Sequence, residues 1–299
     1  MSGPRVCGCK GIRSCRLCMA TNAQEAGPRL GGVSRDVLSC IHNASSEDEL
    51  PVESFPEESQ QLNTSVHPEA GPRLGWVSRD VSSCSHNASH KIDFEGIVII
   101  EDFVSEAEEA DLDRAIAGTH FVNSQSGRRK QDFGPKVNFK KQKVRTANFT
   151  GLPSYSQFLY QRMKAHPHLS DFEPVELCNL EYCQSRGAHI DPHLDDDWLW
   201  GERLVTLNLL SDSVLTFTLD SVPDIEVRVP LLRRSLIVVA AAARYSWKHS
   251  ILPGDVVGRR IAMTFRELSK EFRSGGSRGQ QGVELLKLAL TFSGSAVSS

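Results

Sequence analysis

Long apolar runs are missing from this 299-residue chain. The longest, Ser-Leu-Ile-Val-Val-Ala-Ala-Ala-Ala at residues 235–243, falls well short of the ~20 residues a membrane-spanning helix needs. It reads as a buried strand and turn. Residues 1–10 are polar and cysteine-rich, so a secretory leader is not expected. An excess of basic charge is also lacking, since 34 Lys and Arg face 37 Asp and Glu for a net charge of −3. That balance predicts no general attraction to nucleic acid and no membrane partner. The expectation is a soluble protein of the cytoplasm and nucleus. Two short basic runs, at residues 128–130 and 140–143, are compatible with nuclear import.

Cysteine is sparse after the first 18 residues, which hold Cys7, Cys9, Cys15 and Cys18. Clustered thiols in a reducing compartment are more apt to ligate metal than to pair as disulfides. Four thiolates make a closed tetrahedral zinc site that can order a short segment. A disordered cysteine-rich tail accounts for the same residues, and the pattern leaves both open. Residues 21–91 read as a disordered linker, acidic and proline-punctuated. It carries a tandem repeat, Glu25-Ala-Gly-Pro-Arg-Leu-Gly31 recurring as Glu69-Ala-Gly-Pro-Arg-Leu-Gly75. Two copies without helical or strand period do not make a solenoid. The division is therefore 1–20 cysteine-rich, 21–91 linker and 92–299 folded domain.

Within the third region the periodicity is mostly that of strands. Strands are predicted over 175–182, 204–210, 214–219, 225–231, 235–239 and 261–265, with another over 96–103 leading into a helix. Ser105 and Glu108 stand at capping-box spacing, and Leu112 and Ile116 fall on one face of that helix. A second helix starts near Ser154 and a third covers 283–290. Many short strands behind helices predict a mainly β fold, a double-stranded β-helix or jelly roll.

His193 and Asp195 are two apart, so on a strand both side chains reach one face while Leu194 points away. An H-x-D tripeptide is common by chance, and its company gives it meaning. A later histidine, His249, completes a two-histidine, one-carboxylate set. That set holds Fe(II) with open positions for a co-substrate and dioxygen. Residues 258–266 alternate, placing Arg260, Ala262, Thr264 and Arg266 on one face. Two inward guanidiniums beside a metal call for an anion, and a dicarboxylic acid supplies one. Two other readings stand beside this one. One is a catalytic Zn²⁺ hydrolase, which leaves the arginines without a purpose. The other is a non-catalytic metal-binding module that recruits protein or nucleic-acid partners.

His193-x-Asp195, His249 and the Arg260-x5-Arg266 pair resemble the AlkB family of Fe(II)- and 2-oxoglutarate-dependent dioxygenases. Residues 124–139, Asp191-Pro-His-Leu-Asp-Asp196, Trp198-Leu-Trp-Gly-Glu-Arg-Leu204, Thr264-Phe-Arg-Glu-Leu-Ser269 and residues 7–13 are similar to its fourth animal branch nearly word for word. The likeness covers residues 1–18 and 92–292. It implies iron on His193, Asp195 and His249, the far carboxylate of 2-oxoglutarate on Arg260, and Arg266 at the metal-proximal end. In that family an Asn-x-Tyr contacts the co-substrate. Here Asn179 and Tyr182 are one residue further apart, so both can face the pocket only across a bulge. Ala262 stands where bacterial relatives have a polar contact.

The resemblance also implies a substrate lid over Arg128, Arg129, Lys130, Phe133, Lys136 and Phe139. That segment, residues 128–145, has eight cations against the single acid Asp132. Such a lid holds phosphates and stacks a base, docks an acidic protein, or is simply a solvated loop. The implied reaction is oxidative N-demethylation, with 2-oxoglutarate converted to succinate and CO₂ and the methyl group leaving as formaldehyde. The implied substrates are monomethyl-lysine in a protein such as actin, with a role in actomyosin dynamics and cytokinesis, and N(6)-methyladenine in DNA, with a chromatin role. The acidic balance and the lack of a base-reading motif favour the protein substrate.

Overall fold

The structure, a computed structural model, describes residues 94–297. The cysteine cluster and the repeated linker lie outside the described residues. The strands are β1 (Ile97–Ile100), β2 (Val122–Asn123), β3 (Arg129–Phe133), β4 (Lys136–Asn138), β5 (Lys143–Arg145), β6 (Pro174–Cys183), β7 (Ile190–His193), β8 (Trp200–Leu209), β9 (Ser213–Leu219), β10 (Val222–Leu231), β11 (Leu236–Val239), β12 (Lys248–Ile251) and β13 (Arg259–Leu268). The helices are α1 (Glu106–Ala117), α2 (Gln157–Lys164), α3 (Ala241–Tyr245) and α4 (Gly279–Ala289).

One sheet has the order β1-β11-β8-β13-β6-β3-β2, and the facing one β10-β9-β12-β7. From β6 onward the chain passes back and forth between these two sheets. That is the double-stranded β-helix expected from the sequence. β4 and β5 pair only with each other.

Two apolar layers hold the sheets in place. Ile261, Met263 and Phe265 of β13 pack with Leu112, Ile116, Leu159 and Met163 of α1 and α2. Ala262, the next inward residue of β13, joins Tyr182, Phe217 and Trp247 between the sheets. Each fully buried side chain of this size contributes roughly 1.5–3 kcal/mol, so a one-residue slip of β13 forfeits a whole face. The capping box at α1 is present. Glu108 N–H donates to Ser105 Oγ at 3.2 Å, and Ser105 N–H donates to Glu108 Oε2 at 2.8 Å. Glu109 then ties α1 to the sheet, accepting from Leu210 N–H at 2.7 Å and Arg233 Nε at 2.8 Å.

The main departure from expectation lies in the basic segment. It is not one loop, because β3 extends the large sheet by pairing along β6. Its residues therefore alternate between faces. Phe133 points to the helix side and is fully buried in the apolar core, where it cannot stack a base. Arg129, on the same helix-side face at the other end of the strand, pairs with Glu181, which also holds Arg186 and Arg259, at N–O distances of 2.6, 2.7 and 2.9 Å.

Burial works against the Glu181 charge, but the three guanidiniums overcome it and hold its carboxyl at about 2, down from 4.5. A depressed carboxyl stabilises the fold above its unfolded value, and the contribution is lost as pH falls toward the folded one. Wild-type stability measured by urea melts should therefore drop between about pH 5 and about pH 2. Glu181→Gln should be less stable at neutral pH and lose less over that window. Parallel curves for the two proteins would remove the cluster from the acid response.

Candidate active site

β12 lies between β7 and β9, and its register sets His249 directly across from His193. The two rings stand 4.4 Å apart, centroid to centroid. β7 ends at His193, so Asp195 lies just past the strand rather than on it. One donor atom from each of His193, Asp195 and His249 lies within 4.8 Å of the others. His193 Nδ1 is 2.8 Å from the carbonyl oxygen of Asp191, which fixes that ring.

The two Asp195 oxygens have separate surroundings. Oδ1 accepts from Arg266 Nε at 3.1 Å and pairs with Nη2 at 2.9 Å. Oδ2 lies 3.5 Å from His249 Nε2. Burial disfavours the Asp195 charge, yet Arg266, His249 and His193 together hold its carboxyl well below the usual range. Burial and then His193 push the His249 imidazole down to about 3, against the pull of Asp195. A neutral imidazole and an ionised carboxylate are the protonation states that ligate a divalent metal. Arg244, 1% exposed, donates to the carbonyl oxygens of Asp195 and Asp196, both at 2.9 Å, and clamps the backbone of this loop.

Behind the triad, a largely apolar cavity runs between the sheets, with Leu180, Tyr182, Ile190, Leu215 and Ile251 among its walls. Arg260 lines it at 2% exposure. Its Nε donates to Asn208 Oδ1 at 2.5 Å, its guanidinium stands 4.8 Å from the Tyr182 ring, and its Nη1 has no partner. Burial pushes its pKa down. An unpaired guanidinium edge in an apolar cavity is costly, and a carboxylate is the group that satisfies it. The donors present thus fit both a divalent metal and a dicarboxylate.

Several expected residues lie elsewhere. Asn179 does not reach the cavity. It faces the helix side, where its Nδ2 donates to Gln131 Oε1 at 2.9 Å and Tyr155 Oη at 2.8 Å. β6 runs without a bulge at this point, so Tyr182 lines the cavity with Leu180 two residues before it, and Asn179 is turned away. Arg128, 2% exposed, offers no surface to a lid and stands 5.9 Å from the Tyr182 ring. Lys130 pairs with Asp132 at 2.5 Å. Lys136 and Phe139 remain exposed, on β4 and the turn after it. Arg244 and Glu176 were not expected. Glu176, opposite Arg266 in the register, holds its Nη1 at 2.7 Å.

No family model matches the chain. It is 48% identical over 233 residues to alpha-ketoglutarate-dependent dioxygenase alkB homolog 4 of Homo sapiens, a match covering 68% of this chain and 77% of that one. The chain belongs to the AlkB family of 2-oxoglutarate-dependent dioxygenases. The Mus musculus protein of the same description is 46% identical over 233 residues, covering 68% of this chain and 78% of that one. A DNA N6-methyl adenine demethylase of Caenorhabditis elegans is 35% identical over 290 residues, covering 96% of this chain and 95% of that one. The AlkB enzymes use Fe(II) and 2-oxoglutarate, and the triad and Arg260 are what such a pair requires. The reading as a non-catalytic module gives way to an enzyme.

Proposed function

We propose that this AlkB-family enzyme demethylates monomethyl-lysine in a protein such as actin, acting in actomyosin dynamics and cytokinesis from the cytoplasm and nucleus. His193, Asp195 and His249 hold iron, and Arg260 receives the far carboxylate of 2-oxoglutarate. Bound iron and 2-oxoglutarate supply the oxidising chemistry with dioxygen. The chain's own residues orient and insulate. Arg266 occupies Asp195 Oδ1 and leaves Oδ2 on the side of His249. The apolar walls keep water from the reacting centre.

The observation that carries the lysine reading is the state of the basic segment. Of its cations, Arg128 is buried, Arg129 is spent on Glu181 and Lys130 on Asp132. Phe133 is in the core, so neither the phosphate-holding strip nor the base-stacking ring of a nucleic-acid lid is offered by β3. A second reading, N(6)-methyladenine in DNA, is favoured by the Caenorhabditis elegans relative, which aligns over nearly the whole chain.

Formaldehyde release decides between them, with purified protein, Fe(II), 2-oxoglutarate and ascorbate. A peptide bearing monomethyl-lysine and an oligonucleotide bearing N(6)-methyladenine run side by side, with His249→Ala as control. Release from the peptide alone, lost in the control, is the expected result. Release from DNA alone reverses the substrate assignment.

A further inference from the structure

Charge is segregated along this chain. Residues 133–170 carry seven Lys and Arg and no acid. Residues 36–72, which lie outside the described residues, carry eight Asp and Glu and no Lys or Arg. Five of the seven cations, Lys136, Lys140, Lys141, Lys143 and Arg145, fall on the β4–β5 hairpin and its turn. The register pairs Lys136 with Arg145, Val137 with Val144 and Asn138 with Lys143. Val137 and Val144 pack against the apolar core, so the strand period turns Lys136, Lys143 and Arg145 to solvent. Lys140 and Lys141 are exposed in the turn, next to Phe139 at 37% exposure.

The neighbours of this face do not neutralise it. Among the described residues none of the five cations forms an ion pair. The start of α4 holds the hairpin in place, with Arg278 Nη1 donating to the Gln142 carbonyl oxygen at 2.9 Å and Gln281 Nε2 to that of Val144 at 3.1 Å. Arg278 is itself paired with Glu271, and the exposed Glu284 of α4 is followed one turn later by Lys287. Asp132 and Glu176, near the root of the hairpin, are paired with Lys130 and Arg266. The root lies close to the metal site. Gly134 rests on Glu176, where an added Cβ would stand 2.8 Å from Glu176 Cγ, and Glu176 holds Arg266, the partner of Asp195.

We propose that the acidic segment 47–58 of the same chain docks on the outer face of β4–β5. That segment, Glu47-Asp-Glu-Leu-Pro-Val-Glu-Ser-Phe-Pro-Glu-Glu58, sets six carboxylates against the five cations, and its Leu50 and Phe55 offer apolar partners to Phe139. The 35 residues between Glu58 and Phe94 reach up to about 120 Å when extended, ample for this face. A tether of that size gives a local concentration of roughly millimolar order, so individually weak, salt-screened contacts are enough. Docked there, the segment occupies the basic face beside the metal site and competes with other polyanions for it. The inference goes beyond the demethylase reading and holds for either substrate.

The test uses the full chain with Mn(II) and 2-oxoglutarate, and a fluorescently labelled peptide of residues 45–60 as probe. Glu47→Gln, Asp48→Asn, Glu49→Gln, Glu53→Gln, Glu57→Gln and Glu58→Gln together neutralise the segment. Lys140→Glu, Lys141→Glu and Lys143→Glu together reverse the hairpin face. The neutralised chain should bind the peptide about tenfold more tightly than wild type, because its own segment no longer competes. Misfolding cannot produce that gain. Reversing the hairpin should abolish peptide binding in both backgrounds. Carbodiimide coupling should join Lys136, Lys140, Lys141 or Lys143 to carboxylates of 47–58 within single wild-type molecules. That product should disappear at about 1 M salt, where the Debye length is about 3 Å. Equal peptide affinity in wild type and the neutralised chain overturns the inference. Coupling found only between molecules overturns it in favour of a second copy on this face. Hairpin-dependent binding of a DNA oligonucleotide, equally tight in wild type and the neutralised chain, overturns it in favour of nucleic acid.

Discussion

Asp195→Ala should release no measurable formaldehyde and should bind Mn(II) more than about 100-fold more weakly, beyond the range usual for residues outside the ligand set. The reason lies in how the two carboxylate oxygens are divided. Oδ1 belongs to Arg266, and Oδ2 stands beside His249, so the substitution removes one metal donor and one guanidinium partner together. Arg266 is then left buried with Glu176 alone. Breaking a buried ion pair from one side costs about 3–5 kcal/mol, so the metal-free variant should also melt at lower temperature. Asp195→Asn separates the two effects. It keeps the shape and one oxygen for Arg266 but gives the metal a weaker, neutral donor, and should lose activity with a smaller loss of stability. Metal titration, thermal melts and product release on the same preparations check this. Turnover at the wild-type rate in Asp195→Ala would place the iron elsewhere.

Arg260→Met should part stability from function in the opposite direction. In the protein alone Arg260 is a buried guanidinium with side-chain hydrogen bonds to Asn208 and Tyr182, a contact with the Tyr182 ring, no carboxylate partner, and an unpartnered Nη1. Its surroundings include Ile190, Leu215 and Ile251, which suit methionine better than a charge. Replacing a poorly compensated buried charge with an apolar residue of similar volume is often neutral or stabilising by about 1–4 kcal/mol. The apo variant should therefore melt at or above the wild-type temperature. Losing one member of a buried charge pair costs about 2–5 kcal/mol in binding, roughly 30- to several-thousand-fold. The KM for 2-oxoglutarate should rise by that factor, and the thermal stabilisation that 2-oxoglutarate gives the wild type should vanish. An unchanged KM would show that the dicarboxylate is held by another group, and Arg128, on the same tyrosine, would be the first to examine.

Much of the site is legible in the chain because its information is local. Side-chain chemistry names the histidines and the carboxylate, and the period of two along residues 258–266 gives the inward arginines. The capping box at Ser105 and Glu108 is likewise read from spacing alone. The arginine pattern and the capping box depend only on residues within a strand or one helical turn and stand where the pattern puts them, whereas Asp195 lies just past the end of β7 and His249 is brought in by β12. The basic segment went the other way. Eight cations in eighteen positions look like one surface, but the pairing of β3 with β6 sends alternate side chains to opposite faces. Glu181 and Asp132 then take up Arg129 and Lys130, Arg128 is buried, and the other five cations stay exposed.

Asn179 shows the same limit. Its chemistry suits a co-substrate contact, yet the parity of β6 gives the inward position to Leu180. Glu176 and Arg244 carried no signal at all, since nothing near them in the chain marks a site. Glu176 becomes meaningful only when the β6–β13 register sets it across from Arg266, and Arg244 only when α3 brings it to the Asp195 loop. The sequence by itself determined which residues have the chemistry for iron and for a dicarboxylate, and the sheet period that aims them. Tertiary structure alone decided which charges are spent on one another and which remain for a substrate. Those choices follow from cross-strand register and burial, set by partners dozens of residues away.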